Sequence, residues 1–140
     1  MREFTLTVED LTVQAVLLDD AAPGAAELWW KQLPIQGRVR HFRWGGEAGY
    51  LMVPGMKHAA DAVENPVSFY PRRSICVRAE HGEIVLPYGQ SQARSHMLPA
   101  TYATQFGQLV DGDVDAFLAL IGGTLSAGGK DIRIERHATD

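Results

Sequence analysis

Polar and apolar positions alternate from the start of the chain. Phe4, Leu6 and Val8 interleave with Glu3, Thr5 and Thr7, and after Glu9-Asp10 the same period resumes at Leu11, Val13, Ala15 and Leu17. Side chains two apart share one face of an extended backbone, so the pattern predicts a hairpin turning at Glu9-Asp10. The period then lengthens. Ala26, Trp29, Trp30 and Leu33 recur at helical spacing and predict a helix over 22–33. Asp20 lies upstream as a cap, Pro23 suits the first turn and Pro34 ends the element.

Strands dominate the middle of the chain. Residues Gly37 to Trp44 and Glu47 to Val53 read as two strands around Gly45-Gly46, a pair able to take positive φ in a tight turn. Pro54, Gly55, Lys57, Asp61 and Pro66 mark 54–66 as a loop with one helical turn. Ser74 to Arg78 and Ile84 to Tyr88 are strands joined near His81-Gly82. Residues 90–108 are polar and irregular, broken by Pro99 and Gly107, and read as a long loop plus one strand. Val114, Phe117, Leu118, Ile121 and Leu125 restore helical spacing, with Asp113 as N-cap and Gly128-Gly129 as the stop. Ile132 and Ile134 alternate with charges in a last strand. About seven or eight short strands and two helices result. Short antiparallel strands hide their edges best by closing on themselves, so the pattern predicts a mainly β barrel capped by helices.

Composition narrows the setting. The 140 residues carry a formal net charge of −4 and are 46% hydrophobic, which fits one globular domain and argues against nucleic acid as a partner. The lone Cys76 lies in an apolar run and reads as a buried reduced thiol. No signal-peptide pattern and no stretch of ~20 apolar residues is present, so a cytoplasmic protein without a membrane partner is expected. The histidines His41, His58, His81, His96 and His137 are scattered. No HxxxH, HxH or CxxC spacing occurs, and neither a metal nor another cofactor is expected. No GxSxG elbow and no glycine-rich phosphate loop is found.

Chemistry concentrates between Gly37 and Tyr50, GRVRHFRWGGEAGY. Three arginines, a histidine, a tryptophan, a glutamate and a tyrosine fall within fourteen residues, interrupted by four glycines. On a strand Arg38, Arg40, Phe42 and Trp44 share one face, and Val39, His41 and Arg43 the other. Two guanidiniums beside an indole suit a carboxylate or phosphate with an apolar body. Glu47, amid this positive charge, stays ionised and anchors a ligand or an ion pair. Glu64-Asn65-Pro66 forms a second polar cluster, and Tyr70 and Tyr88 end strands as phenols suited to a barrel mouth. The candidate ligand-binding residues are therefore Arg38, Arg40, His41, Trp44, Glu47, Tyr50, Glu64, Asn65, Tyr70 and Tyr88. No residue is assigned as catalytic. Trp29 and Trp30 read as core.

Four segments carry a resemblance. The run AVLLDDAAPGAAELWWKQLP resembles the opening of cyclophilin-like domains, and GRVRHFRWGGEAGY, ENPVSFYP and EIVLPYG resemble a small bacterial family of cyclophilin-like proteins of unassigned function. The likeness runs from about Val13 to Ile134 and implies a closed eight-stranded barrel with two helices. It implies no activity. True cyclophilins carry a catalytic Arg before Phe-x-x-Gln-Gly-Gly-Asp and a later Asn-Gly-Ser-Gln-Phe-Phe; both segments are missing here, which weighs against prolyl isomerisation. The expected function is binding of a small anionic molecule or peptide near the 37–50 hairpin. The alternative is an enzyme, a prolyl isomerase or an acid/base catalyst using Glu47, His41 or Tyr88. A homo-oligomer held through Phe42, Trp44, Tyr50, Leu51 and Met52 is a third, structural reading.

Overall fold

The alternation of the first seventeen residues becomes a hairpin of β1 (Glu3–Val8) and β2 (Leu11–Leu17), with Glu9 in the turn at φ 54°. A computed structural model describes residues 1–58, 63–94 and 101–137. Asp61, His96 and Pro99, which the sequence assigns to loops, lie outside them. Phe4, Leu6, Val8, Val13, Ala15 and Leu17 are all buried, so the inward face of the hairpin is the one the period of two selects.

Beyond the hairpin come α1 (Pro23–Gln32), β3 (Ile35–His41), β4 (Gly46–Met52), a 3-10 turn (Pro54–His58) and β5 (Pro66–Val67). The chain continues through β6 (Ser74–Arg78), β7 (Glu83–Ser91), β8 (Ala103–Asp111), α2 (Val114–Ala127) and β9 (Lys130–Arg136). The ring runs β2-β1-β9-β3-β4-β7-β6-β8, and a β2–β8 pairing closes it into an eight-stranded antiparallel barrel. The ninth strand, β5, pairs with the start of β8. The predicted fold class, a mainly β closed barrel with two helices, is the fold observed. Among the described residues, no helix is long and apolar enough to cross a membrane.

Several local expectations shift. β3 starts at Ile35 and ends at His41, leaving Trp44 in the turn, because pairing with β9 begins at Ile35. β7 continues past Tyr88 to Ser91, drawn out by its pairing with Gly46 of β4. Asp20 does not cap α1. The N-cap is Ala22, which makes no side-chain bond, and Glu64 caps from a distance: its carboxylate accepts from the amides of Gly24 (3.1 Å) and Ala25 (2.9 Å). An anion on these unpaired amides also opposes the positive end of the helix dipole. Asp113 caps α2 as the sequence indicates, accepting from Ala116 N at 3.1 Å.

Two apolar layers result. The lumen is filled by the inward strand residues together with Trp29 of α1 and Phe117, Leu118 and Ile121 of α2. Trp29 is wedged between Phe4 and Phe106 at ring separations of 5.7 and 5.1 Å. The second layer lies on the outer face of β4, β6 and β7. There Ala48, Cys76 and Val85, alternating with lumen residues, pack with Phe42, Tyr70, Ala93 and Ala103. A one-faced alternation gives no sign of this outer layer, which exists because flanking loops fold over the sheet. It buries Phe42, and Leu51 belongs to the lumen, so of the five residues read as an association patch only Met52 is largely exposed. Burial pushes the Cys76 thiol up to about 12, consistent with an inert packing role.

Candidate functional site

The far ends of β4 and β7 pair irregularly. Gly46 faces Ser91 and Ala48 faces Pro87, so the register slips across Glu47. Pro87 has no amide to donate, which suits it to a ladder that is already broken. The slip frees the amide of Gln90, and Glu47 Oε1 accepts from it at 2.9 Å. The carboxylate lies over Gly89, where an added Cβ would come within 2.5 Å of Oε1 and push the carboxylate aside.

An open groove of about 780 Å³ runs past this carboxylate. Gly45, Glu47, Phe69, Tyr70, Arg72 and the 89–92 segment line it. Phe69 is 70% exposed, an uncovered ring on an otherwise polar wall. Arg72 is fixed by two bonds: Nε donates to the Tyr88 carbonyl at 3.2 Å, and Nη2 meets Asp115 of α2 at 2.8 Å. The neighbouring arginine holds the Asp115 carboxyl below the usual carboxylate range, first through that hydrogen bond. Tyr70 and Ser91 are almost fully buried, and their hydroxyls have no partner among the described residues.

Behind Glu47, His41 and Tyr88 meet. His41 Nε2 lies 2.7 Å from the Tyr88 hydroxyl, and the rings pack edge to face. Gly122 of α2 admits the Tyr88 ring, since a Cβ there would stand 3.2 Å from it. Burial lowers the His41 pKa against an opposing pull from Glu47. Burial raises that of Tyr88, and the Glu47 charge adds to it. At neutral pH the pair is thus an uncharged imidazole and a protonated phenol. His41 Nδ1 is buried without a partner among the described residues. A tautomer protonated on Nε2 leaves only a lone pair unsatisfied there and frees the Tyr88 proton for another acceptor.

The structure therefore brings together His41, Glu47, Tyr70 and Tyr88 of the residues singled out from sequence. The others stand elsewhere. Arg38 pairs with Asp131 at 3.0 Å and donates to the Gly129 carbonyl, beside a different groove of about 750 Å³ lined by Glu9, Gly37, Arg38 and Asp131 to Arg133. The charges there are largely matched, Lys130 meeting Glu9 at 2.8 Å. Arg40 is exposed across from Tyr50. Tyr50 and Trp44 pack on the outer layer, with Arg43 stacked over the Trp44 ring. Glu64 caps α1, and Asn65, at φ 42°, donates to the Gln105 carbonyl. Phe69, Arg72, Gln90 and Gln92 escaped the sequence reading. The segment ENPVSFYPRR contains two of them, but only barrel closure sets it against β7. Among the described residues no group of three or more His, Cys, Asp or Glu side chains is placed to hold a metal ion.

Comparison with known proteins adds three findings. The model of a family described as "Protein of unknown function (DUF3830)" matches residues 4–94. The chain resembles the structure of McbB in complex with tryptophan, at a TM-score of 0.76 and 20% identity, covering 100% of this chain and 47% of that one. It thus spans less than half the length of McbB. It also resembles the solution structure of the hypothetical protein AF2241 from Archaeoglobus fulgidus, at a TM-score of 0.67 and 17% identity over 97% of this chain and 95% of that one. No curated protein matches. At such identities the likeness concerns the barrel.

Proposed function

The chain belongs to the DUF3830 family of proteins of unknown function, and we propose that it binds a small anionic molecule or peptide in the groove beside the 37–50 hairpin. One observation carries this reading: the groove joins a fixed guanidinium with donors to spare, Arg72, to an uncovered aromatic ring, Phe69. An anion with an apolar body uses both, through charge-assisted hydrogen bonds and ring contact. The groove flanked by Arg38 is less suited, because its charges are already paired and no ring lines it. McbB, whose barrel is similar, is described in complex with tryptophan, in keeping with a small ring-bearing ligand on such a scaffold.

The segments AVLLDDAAPGAAELWWKQLP, GRVRHFRWGGEAGY, ENPVSFYP and EIVLPYG support a kinship with cyclophilin-like proteins of bacteria. A cytoplasmic site of action is part of the same reading, and the absent catalytic segments place prolyl isomerisation outside it. The remaining expected contacts, Arg38, Arg40, Trp44, Tyr50, Glu64 and Asn65, do not line this groove.

A thermal-shift screen of aromatic and aliphatic carboxylates and short acidic peptides tests the proposal. At a hundred times its Kd a true ligand adds about 2.7 kcal/mol and raises Tm by roughly 10 °C. The Phe69→Ala variant, altered at an exposed position, is expected to melt like wild type and to lose that response. A panel without effect on wild type, or an equal response from Phe69→Ala, would remove the proposal.

A second reading, acid/base catalysis, draws on the 2.7 Å His41–Tyr88 contact beside Glu47. A reaction abolished by Tyr88→Phe while ligand binding persists would favour it.

A further inference from the structure

Glu47 and Arg72 carry opposite charges on one groove, yet neither neutralises the other. The ion-pair partner of Arg72 is Asp115 on α2, and its Nη1 has no acceptor among the described residues. Glu47 has no ion-pair partner among the described residues, and its Oε2 accepts no hydrogen bond there. Two unmatched valences of opposite sign thus remain, one on each side.

Both groups are anchored on the same strand end, Arg72 on the Tyr88 carbonyl and Glu47 on the Gln90 amide. Only Gly89 lies between those anchor points, so the two charged groups line one groove from neighbouring positions of the same strand end. Phe69 supplies a bare ring in the same groove, and the unbonded Oε2 makes the carboxylate an acceptor for a cation. A purely anionic ligand would leave Glu47 unmatched and facing like charge.

We propose that the ligand of this groove is a zwitterion bearing a ring, an aromatic α-amino acid, with its ammonium on Glu47, its carboxylate on Arg72 and its side chain against Phe69. The inference rests on the proposed anion-binding groove and narrows it. Glu47 then sets specificity, since the groove accepts the anionic half of the ligand without it and distinguishes amino acids from simple acids with it.

Calorimetric titration with L-phenylalanine, 3-phenylpropionate (no ammonium), L-phenylalaninamide (no carboxylate) and the dipeptide Phe-Gly tests this. Wild type is expected to bind phenylalanine about five- to tenfold more tightly than either truncated analogue, on the order of one charge-assisted hydrogen bond each. Glu47→Gln should erase the preference over 3-phenylpropionate and keep that over the amide; Arg72→Gln should do the reverse. Glu47→Asp and Arg72→Lys, which keep the charges, should retain part of each preference and supply the test if the first pair folds poorly. Phe-Gly binding as tightly as phenylalanine would make a peptide N-terminus the ligand and overturn the free amino acid. Equal binding of phenylalanine and 3-phenylpropionate by wild type would overturn the zwitterion and leave the anion-binding groove standing. No binding by any of the four would remove both.

Discussion

Replacing Trp29 by alanine is expected to cost about 3–5 kcal/mol of unfolding free energy, the range for deleting a buried aromatic side chain. The indole is fully buried and contacts Phe4 of β1 and Phe106 of β8, strands from opposite ends of the sequence. Its removal opens a cavity where α1 meets the barrel lumen, and rings on three separate elements cannot all collapse into it. The indole N–H has no hydrogen-bond partner among the described residues, so the contribution is packing rather than polar. Trp29→Phe is therefore expected to lose much less, on the order of 1 kcal/mol, because no hydrogen bond goes with the lost ring. Urea denaturation of both variants checks this. A Trp29→Ala loss under about 1 kcal/mol, or equal losses from both, would contradict the packing account.

Arg78→Ala is expected to cost a similar amount, about 3–5 kcal/mol, through a different mechanism. Arg78 is 1% exposed on the outer face of β6, facing Glu83 across the ladder. Its Nη1 donates to the Arg94 carbonyl at 2.8 Å and lies 3.8 Å from Glu83 Oε1, while Nη2 reaches Glu80 at 3.2 Å. Removing the guanidinium strands the Glu83 carboxylate in an apolar layer and frees the Arg94 carbonyl. Burial already raises the Glu83 pKa, with Arg78 the largest opposing influence. A carboxyl whose folded pKa is raised binds its proton more tightly in the native state than in the unfolded chain. This group therefore favours folding in acid and loses that advantage as pH climbs from the ordinary carboxyl range through the raised value. Arg78→Ala should steepen this decline and Glu83→Gln should flatten it. The double variant Arg78→Met with Glu83→Gln should recover most of the stability, because no buried charge remains. Unfolding curves at several pH values measure all three. An Arg78→Ala loss below about 1 kcal/mol, or a slope unchanged by Glu83→Gln, would contradict the role given to the pair.

Most of the barrel was legible because its strands bury one face. β1, β2 and β9 follow a period of two that any inward-facing strand must keep, and α2 carries both its cap and its stop in the sequence. The outer layer was not legible. Ala48, Cys76 and Val85 sit between lumen residues, and nothing local distinguishes a strand covered on both faces from a short apolar run. The site was readable only in part. Glu47, His41, Tyr70 and Tyr88 stood out as costly groups near strand ends. Arg38 and Arg40 stood out equally, yet their strand aims them outward, where Arg38 finds Asp131. Arg72 and Phe69 gained their place through closure, which lays the segment after β5 against the end of β7. Such a meeting depends on register between distant strands, and it has no signature in neighbouring residues.

The central claim, that ligands enter the groove between Glu47 and Arg72, is tested most directly by mapping amide chemical shifts while 3-phenylpropionate is titrated into labelled protein. The account predicts the largest changes at Gly45, Glu47, Phe69, Arg72, Gly89, Gln90 and Gln92. Changes centred on Gln36, Gly37 and Asp131 to Arg133, the groove flanked by Arg38, would contradict it.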